Sequence, residues 1–449
     1  MTAEKGLGAL HWSIALLLEP AAKRGECFIC AVQKHSFDRH LFWFLQENYN
    51  SGPTTNSLLA SQGLCIHHMQ ALRERHAQWQ VTFFAELLMD YNRRLAEKAL
   101  KRARSAQQRS LAGILRPTPR LGEVFVPRAE CPFCASLRES EQFVLTSLAD
   151  SPSDRGIETV WQNVCLPHAL RLAPLISTDV ALSIGDSLRR RLDALPTRRD
   201  LAVSDVAAFF LGSYPKTTRA AFLPSIEAEL LAGARAPFSS ALLADVASSP
   251  VSGKVDWTGC PLCAALRAGD GIHLQGDVQQ YCRADIAMLL ETSASEVVAQ
   301  LVQWARRAIE QRAAYASRRK KPKLVRTTTC PACRGRSERV ASALSALEKA
   351  PAERFSRVRF CVPHLPLVLE RVSPEAAEAV LESQRNTFQH LHDELAEFFR
   401  KADFRFRDEP RGSEQTAWMR AADILAGCWL PEKRESGERP APRIRREEA

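Results

Sequence analysis

Cys27-Phe28-Ile29-Cys30 is answered, after 34 intervening residues, by Cys65-Ile66-His67-His68, and this two-part phrase is written four times. Cys131-Pro132-Phe133-Cys134 precedes Cys165-Leu166-Pro167-His168 by 30 residues. Cys260-Pro261-Leu262-Cys263 precedes Cys282-Arg283-Ala284-Asp285 by 18, and Cys330-Pro331-Ala332-Cys333 precedes Cys361-Val362-Pro363-His364 by 27. The phrase accounts for twelve of the thirteen cysteines. Three soft thiolates and one imidazole form the ligand set of a closed tetrahedral zinc site. The simplest reading closes each site within its own repeat, which would bring Cys27, Cys30, Cys65 and His68 together, and so on along the chain. The third repeat has Asp285 in the histidine's place, and His273 lies in its short gap as an alternative ligand.

Two residues between cysteines let both sulfurs reach one ion from a tight turn. In three repeats a proline after the first cysteine fixes φ in that turn. The Cys-x-x-His pair stands at the start of a helical pattern, where spacing three puts both side chains on one face. A knuckle tied to a helix start resembles treble-clef zinc sites. Buried core thiols would not explain the fourfold spacing. An iron–sulfur cluster also takes thiolates and stays open as the rival cofactor. Haem attachment needs histidine directly after the pair, where Ala31, Ala135, Ala264 and Arg334 stand. A thioredoxin-type redox motif needs a βαβ context that the sequence lacks. Cys428 reads as core, His67 as solvated or as support for His68, and His35, His40, His390 and His392 as surface histidines.

Around the ligands the pattern is helical. Ala31–Asn48 and Arg334–Lys349 follow their Cys-x-x-Cys pairs as helices. Trp79–Leu100 reads as one long helix, and Ser177-Thr178-Asp179 opens another to Leu195. Ser293 and Glu296 form a capping box before Val297–Tyr315. Ser373 is an N-cap with Pro374 at the first helical position. The helix after it carries Ala377, Leu381, Phe388, Leu391, Leu395 and Phe398 at spacings of mostly three and four. Glu123–Pro127 is strand-like, but no hairpin turn joins alternating runs. The expected fold is mainly α: four related helical modules, each closed by a Cys3His or Cys3Asp site. Composition sets the boundaries: module 1 over 1–105, module 2 over 121–199, a ligand-free helical connection over 200–250, module 3 over 251–316, and module 4 with a C-terminal segment over 327–430. The charged, proline-containing 431–449 cannot bury enough apolar area to fold alone.

The apolar run 7–18 is interrupted by His11 and Trp12 and followed by Glu19-Pro20. It reads as a helix leading into the first site rather than as a signal peptide. No run reaches the ~20 apolar residues of a membrane span. A long helical chain with many cysteines fits a reducing, cytoplasmic setting with metal-held thiolates better than a disulfide scaffold. The formal net charge is +10. Three clusters of cations lie on or just after the long helices: Arg93, Arg94, Lys98, Lys101, Arg102 and Arg104; Arg189, Arg190, Arg191, Arg198 and Arg199; and Arg306 through Lys323. They are either solvated helix faces or a phosphate-contacting surface.

Gly63-Leu64-Cys65-Ile66-His67-His68, placed after a Cys-x-x-Cys helix, resembles an uncharacterised bacterial family. Its members pair Cys-x-x-Cys with Cys-x-x-His. The run Phe399–Pro410, with Trp418 and Gly427 beyond it, is similar to how those proteins end. The resemblance implies a bacterial, cytoplasmic protein with metal sites and transfers no activity, and Asp285 departs from its motif. A Gly-rich phosphate loop, a His-Glu-x-x-His helix and a nucleophile elbow are all missing from the sequence. The expectation is a zinc-stabilised interaction scaffold holding three to four ions, with no catalysis by the metal, and binding protein or nucleic acid through basic helix faces. Two alternatives stay open: a thiol redox or metal sensor, and an enzyme whose site is built from dispersed residues.

Overall fold

The computed structural model describes residues 17, 20–110, 121–150, 158–172, 175–194, 209, 260–267, 289, 297–303, 331–356, 358–406 and 408–427. Cys282, Asp285, His273, Cys330, Cys428 and the Ser293–Glu296 capping box lie outside these residues, as does the side chain of Cys333. The same is true of the tail 431–449 and, apart from residues 17 and 209, of the 7–18 run and the 200–250 connection.

The described residues are helical, with no strand among them. In chain order the helices are α1 (Phe28–Gln46), α2 (Gly52–Ala60), α3 (Ile66–Glu74), α4 (Gln78–Ser110), α5 (Pro132–Asp150), α6 (Glu158–Asn163), α7 (Leu166–Leu172) and α8 (Thr178–Ala194). Then come α9 (Pro261–Arg267), α10 (Pro331–Glu348), α11 (Ala352–Phe355), α12 (Leu365–Leu369), α13 (Pro374–Ala402) and α14 (Glu414–Ala426). The strand-like Glu123–Pro127 forms no strand: its first three residues belong to a 3-10 turn, Leu121–Phe125. Its apolar residues serve one packed turn rather than a pleated face: Leu121, Gly122 and Phe125 are buried. Gly122 meets α12 so closely that an added Cβ would stand 2.8 Å from the Pro366 carbonyl oxygen.

Local signals set the helix ends. Ser51 Oγ accepts from the Thr54 N–H to cap α2, and Ser373 Oγ accepts from the Ala376 N–H to cap α13, as Ser373-Pro374 predicts. At its far end α2 stops on Gln62 (φ 54°) and Gly63 (φ 112°), whose N–H groups return to Leu59 and Leu58 carbonyls.

The long helices α4 and α13 pack along each other and carry the centre of one continuous apolar core. Phe84, Leu88, Met89, Ala96 and Ala99 of α4 are fully buried, as are Leu381, Phe388, Leu391 and Leu395 of α13. Each large side chain so buried contributes about 1.5–3 kcal/mol against the ordering entropy. Helix α14 closes over both and reaches α3: Gln78 Nε2 of α4 donates to the Gln415 carbonyl at 3.1 Å, and Arg73 of α3 pairs with Asp423 at 2.6 Å. Arg420 pairs with the nearly buried Glu394 at 2.8 Å. Among the described residues no helix is long and apolar enough to cross a membrane.

Two shorter helices set up the candidate sites. Phe133, at the start of α5, lies against Phe37, His40 and Phe44 of α1. Glu141, two turns into α5, reaches the side chain set at the start of α1. The two helices therefore run antiparallel, each with its first turn beside the later part of the other. In the second half α9 packs on α10, with Arg339 Nε donating to the Ala265 carbonyl at 3.0 Å.

Candidate metal centres

Three sets of ligand atoms converge, each within 4.8 Å. Site I is Cys27, Cys30, Cys165 and His168. Site II is Cys65, His68, Cys131 and Cys134. Site III is Cys260, Cys263, Cys361 and His364. All twelve residues belong to the repeated phrase, but the grouping within repeats does not hold. Repeats 1 and 2 exchange their second halves, and the Cys-x-x-Cys of repeat 3 takes the Cys-x-x-His of repeat 4.

The reason is helix length. Nineteen residues of α1 carry the chain about 28 Å away from Cys27 and Cys30. Cys65 follows near that far end, where the antiparallel α5 begins with Cys131 and Cys134. Cys165 and His168 come after α5 has run back toward the start of α1. A rigid helix inside the gaps of repeats 1 and 2 makes the neighbouring repeat's pair the one within reach.

The Cys-x-x-Cys turns are themselves helix starts. Cys27 is the N-cap of α1, extended at φ −60°, ψ 118°. Cys131 and Cys260 stand immediately before α5 and α9. The proline after the first cysteine occupies the first helical position, where its missing N–H costs nothing. Cys65 and Cys361 cap α3 and the 3-10 turn Val362–His364, and Cys165 precedes α7. Each site thus lies between two helical N-termini, whose partial positive charge favours thiolates.

In every site the histidine turns Nδ1 inward. In site I, Nδ1 of His168 lies 3.4 Å from Cys27 Sγ, 3.4 Å from Cys30 Sγ and 3.1 Å from Cys165 Sγ, and the Cys30 and Cys165 sulfurs are 3.8 Å apart. In site II, Nδ1 of His68 lies 3.1, 3.4 and 3.5 Å from Cys65, Cys131 and Cys134, and Cys65 is 3.7 Å from Cys134. In site III, Nδ1 of His364 lies 3.5, 3.5 and 3.1 Å from Cys260, Cys263 and Cys361; Cys361 is 3.6 Å from Cys263 and 3.7 Å from Cys260. The nine described cysteines form no disulfide.

Three buried thiols this close cannot all ionise without a cation. One per site is held well below its usual range: burial opposes ionisation at Cys27, Cys131 and Cys260, but hydrogen bonds from the neighbouring cysteines and the imidazole outweigh it. Hydrogen bonding to the other two thiols pushes Cys30 and Cys65 well up, and burial with Cys260 pushes Cys361 up to about 11. Burial resists protonation of His168 and His364, yet the facing thiolates raise both well above an ordinary histidine. A divalent cation entering such a set displaces these protons.

The residues around the ligands differ from site to site, and the spacing did not reveal them. His168 Nε2 meets Glu141 Oε1 at 3.1 Å, and Glu141 also takes a hydrogen bond from Arg171. This carboxylate fixes the ring so that Nδ1 is left for a ligand. Burial opposes ionisation of Glu141, but His168 and Arg171 hold its pKa below the usual range. Arg191 donates to the Val164 carbonyl at 2.8 Å beside the same site. His68 has no such partner: its Nε2 is buried without a hydrogen bond, and the ring is stacked between Phe37 and Phe133 at 5.6 and 5.2 Å. The sequence signal for Glu141 was its place on α5 two turns after Cys134, which needed the antiparallel pairing to acquire meaning. His40, expected at the surface, is half-buried against Phe133 at 4.7 Å.

The first basic cluster is partly neutralised. Arg93 pairs with Asp90 and Glu97, Arg94 with Asp90, and Arg104 with Glu378 of α13. Lys98, Lys101 and Arg102 remain on an exposed face of α4, and Arg189 and Arg190 are exposed on α8. Lys98 and Arg102 line a cleft of about 450 Å³, with Leu59, Tyr91, Leu95 and Arg128 around it. Arg198, Arg199 and the cluster from Arg306 to Lys323 lie outside the described residues.

No protein-family model, curated protein or solved structure matches the chain.

Proposed function

We propose that the protein is a zinc-stabilised helical interaction scaffold in which each set of three cysteines and one histidine holds a single ion. The separations of the donor atoms carry this reading. Metal–sulfur bonds of about 2.3 Å and metal–nitrogen bonds of about 2.0–2.1 Å in a tetrahedron place sulfurs about 3.8 Å apart and sulfur about 3.5 Å from nitrogen. Four of the sulfur pairs lie at 3.6–3.8 Å and the sulfur–nitrogen pairs at 3.1–3.5 Å, with all four ligand atoms of each site within 4.8 Å of one another. A multi-iron cluster binds its protein ligands through different metal atoms and would spread the sulfurs wider, so the spacing favours one ion per site. Four protein donors leave no position for substrate, which supports a structural role. The chain's own thiolates would hold the ion, and the ion would supply a cross-link between segments far apart in sequence.

Metal analysis of protein purified without added chelator or metal tests the reading. Zinc near one equivalent per site, with little iron and no visible absorption band, is the expected result. Iron with a sulfide-dependent band overturns it.

The exposed cations of α4 beside the cleft support a partner-binding face, with an acidic protein surface or a nucleic acid as the matching chemistry. Electrophoretic shift under increasing salt separates the two. Nucleic-acid binding falls steeply with salt as counterions are released.

A further inference from the structure

The three sites share ligand chemistry but differ in cover. All four ligands are buried in sites I and III, whereas in site II Cys65 and Cys134 are only partly buried. Those two sulfurs lie 3.7 Å apart and come from different segments, Cys65 from the cap of α3 and Cys134 from the first turn of α5. The other two members, Cys131 and His68, are 8% and 2% exposed. Site II also lacks the carboxylate that braces the histidine of site I. With an ion in place all three thiols of a site are deprotonated, so exposure decides which sulfurs an oxidant reaches.

We infer that Cys65 and Cys134 form an oxidant-responsive pair, and that site II is the one that a hydroperoxide opens while sites I and III persist. This rests on the reading of the sites as metal-binding. One thiolate attacks the peroxide oxygen, giving a sulfenic acid and releasing hydroxide. The second thiolate attacks that sulfur and expels a second hydroxide. Two thiolates, one hydrogen peroxide and two protons thus become one disulfide and two waters. Cys131 and His68 remain as two ligands, too few to retain the ion. The disulfide joins the same two segments that the ion had joined, so repeats 1 and 2 stay fastened, and a thiol reductant restores the original pair.

The test uses the full chain with its metals in place, hydrogen peroxide as oxidant, and a chromogenic zinc indicator. One equivalent should be released at least about tenfold faster than the rest, and mass spectrometry after alkylation should find a Cys65–Cys134 disulfide that dithiothreitol reverses. Cys134→His keeps four donors while removing one thiol, and should slow the fast phase to the rate of the others. Release of all equivalents at one rate, a disulfide elsewhere, or an unchanged fast phase in Cys134→His overturns the inference. If acid and a mercurial liberate no zinc from untreated protein, the metal reading itself has failed, a result distinct from these.

Discussion

Site I and site II stand at opposite ends of the antiparallel pair α1 and α5, built from the same ligand types at the same spacings, yet their surroundings contrast. Site I is fully buried, and its histidine is braced by Glu141, itself held by Arg171. Site II keeps its histidine between two phenylalanine rings and leaves two sulfurs only partly buried. Electrostatic bracing fixes a tautomer and raises the basicity of the ring. Aromatic packing fixes orientation alone and depends on tight contact. The contrast shows that equal ligand sets need not be equal in affinity or reactivity, because the residues around them do not repeat.

The largest effect should come from breaking the exchange between repeats. Cys165→Ser should remove one metal equivalent and destabilise the ends of both α1 and α7, since binding energy at such sites is folding energy on the order of 10 kcal/mol or more. Cys27→Ser combined with Cys165→Ser should lose no more metal than either alone, whereas Cys27→Ser with Cys65→Ser should lose two equivalents. Grouping within repeats gives the opposite counts. The same exchange extended to the remaining pairs expects Asp285→Ala and Cys330→Ser to remove one shared ion, read by metal analysis of each variant.

A smaller effect sharpens the contrast itself. Glu141→Gln should weaken metal at site I about 10–100-fold, the usual cost of losing a histidine's carboxylate partner, while site II keeps its affinity. Competition with a graded chelator series reads the two sites separately. Equal loss at both would mean that Glu141 acts through helix packing rather than through His168.

The smallest effect belongs to the aromatic side. Phe133→Leu should cost roughly 1–1.5 kcal/mol in thermal stability and speed metal exchange at site II alone. A change confined to site I would break the assignment of Phe133 to the packing of His68.

The sequence made the helices legible where local chemistry fixed them. Ser373-Pro374 marked the start of α13, and its Ala377–Phe388–Leu395 face is the face that is buried. The 33-residue α4 ran further than its apolar stripe suggested, because its charged C-terminal turns stay helical on their own propensity. Glu123–Pro127 misled because a short apolar run fits one tight turn as well as a strand, and the decision lay with Pro366, more than two hundred residues away. The acids that pair Arg94 and Arg104 were hidden for related reasons. Asp90 is a helical neighbour one turn back, and Glu378 sits on another helix.

The twelve ligand residues that the described structure brings together all belong to the phrase the sequence repeats, because thiolate and imidazole chemistry at i, i+3 spacing is a local property of a helix start. Which pair completes which site was decided by the tertiary structure. A helix of nineteen residues is too long and too stiff for its own repeat to close, and the antiparallel packing of α1 on α5 supplies the neighbour's pair instead.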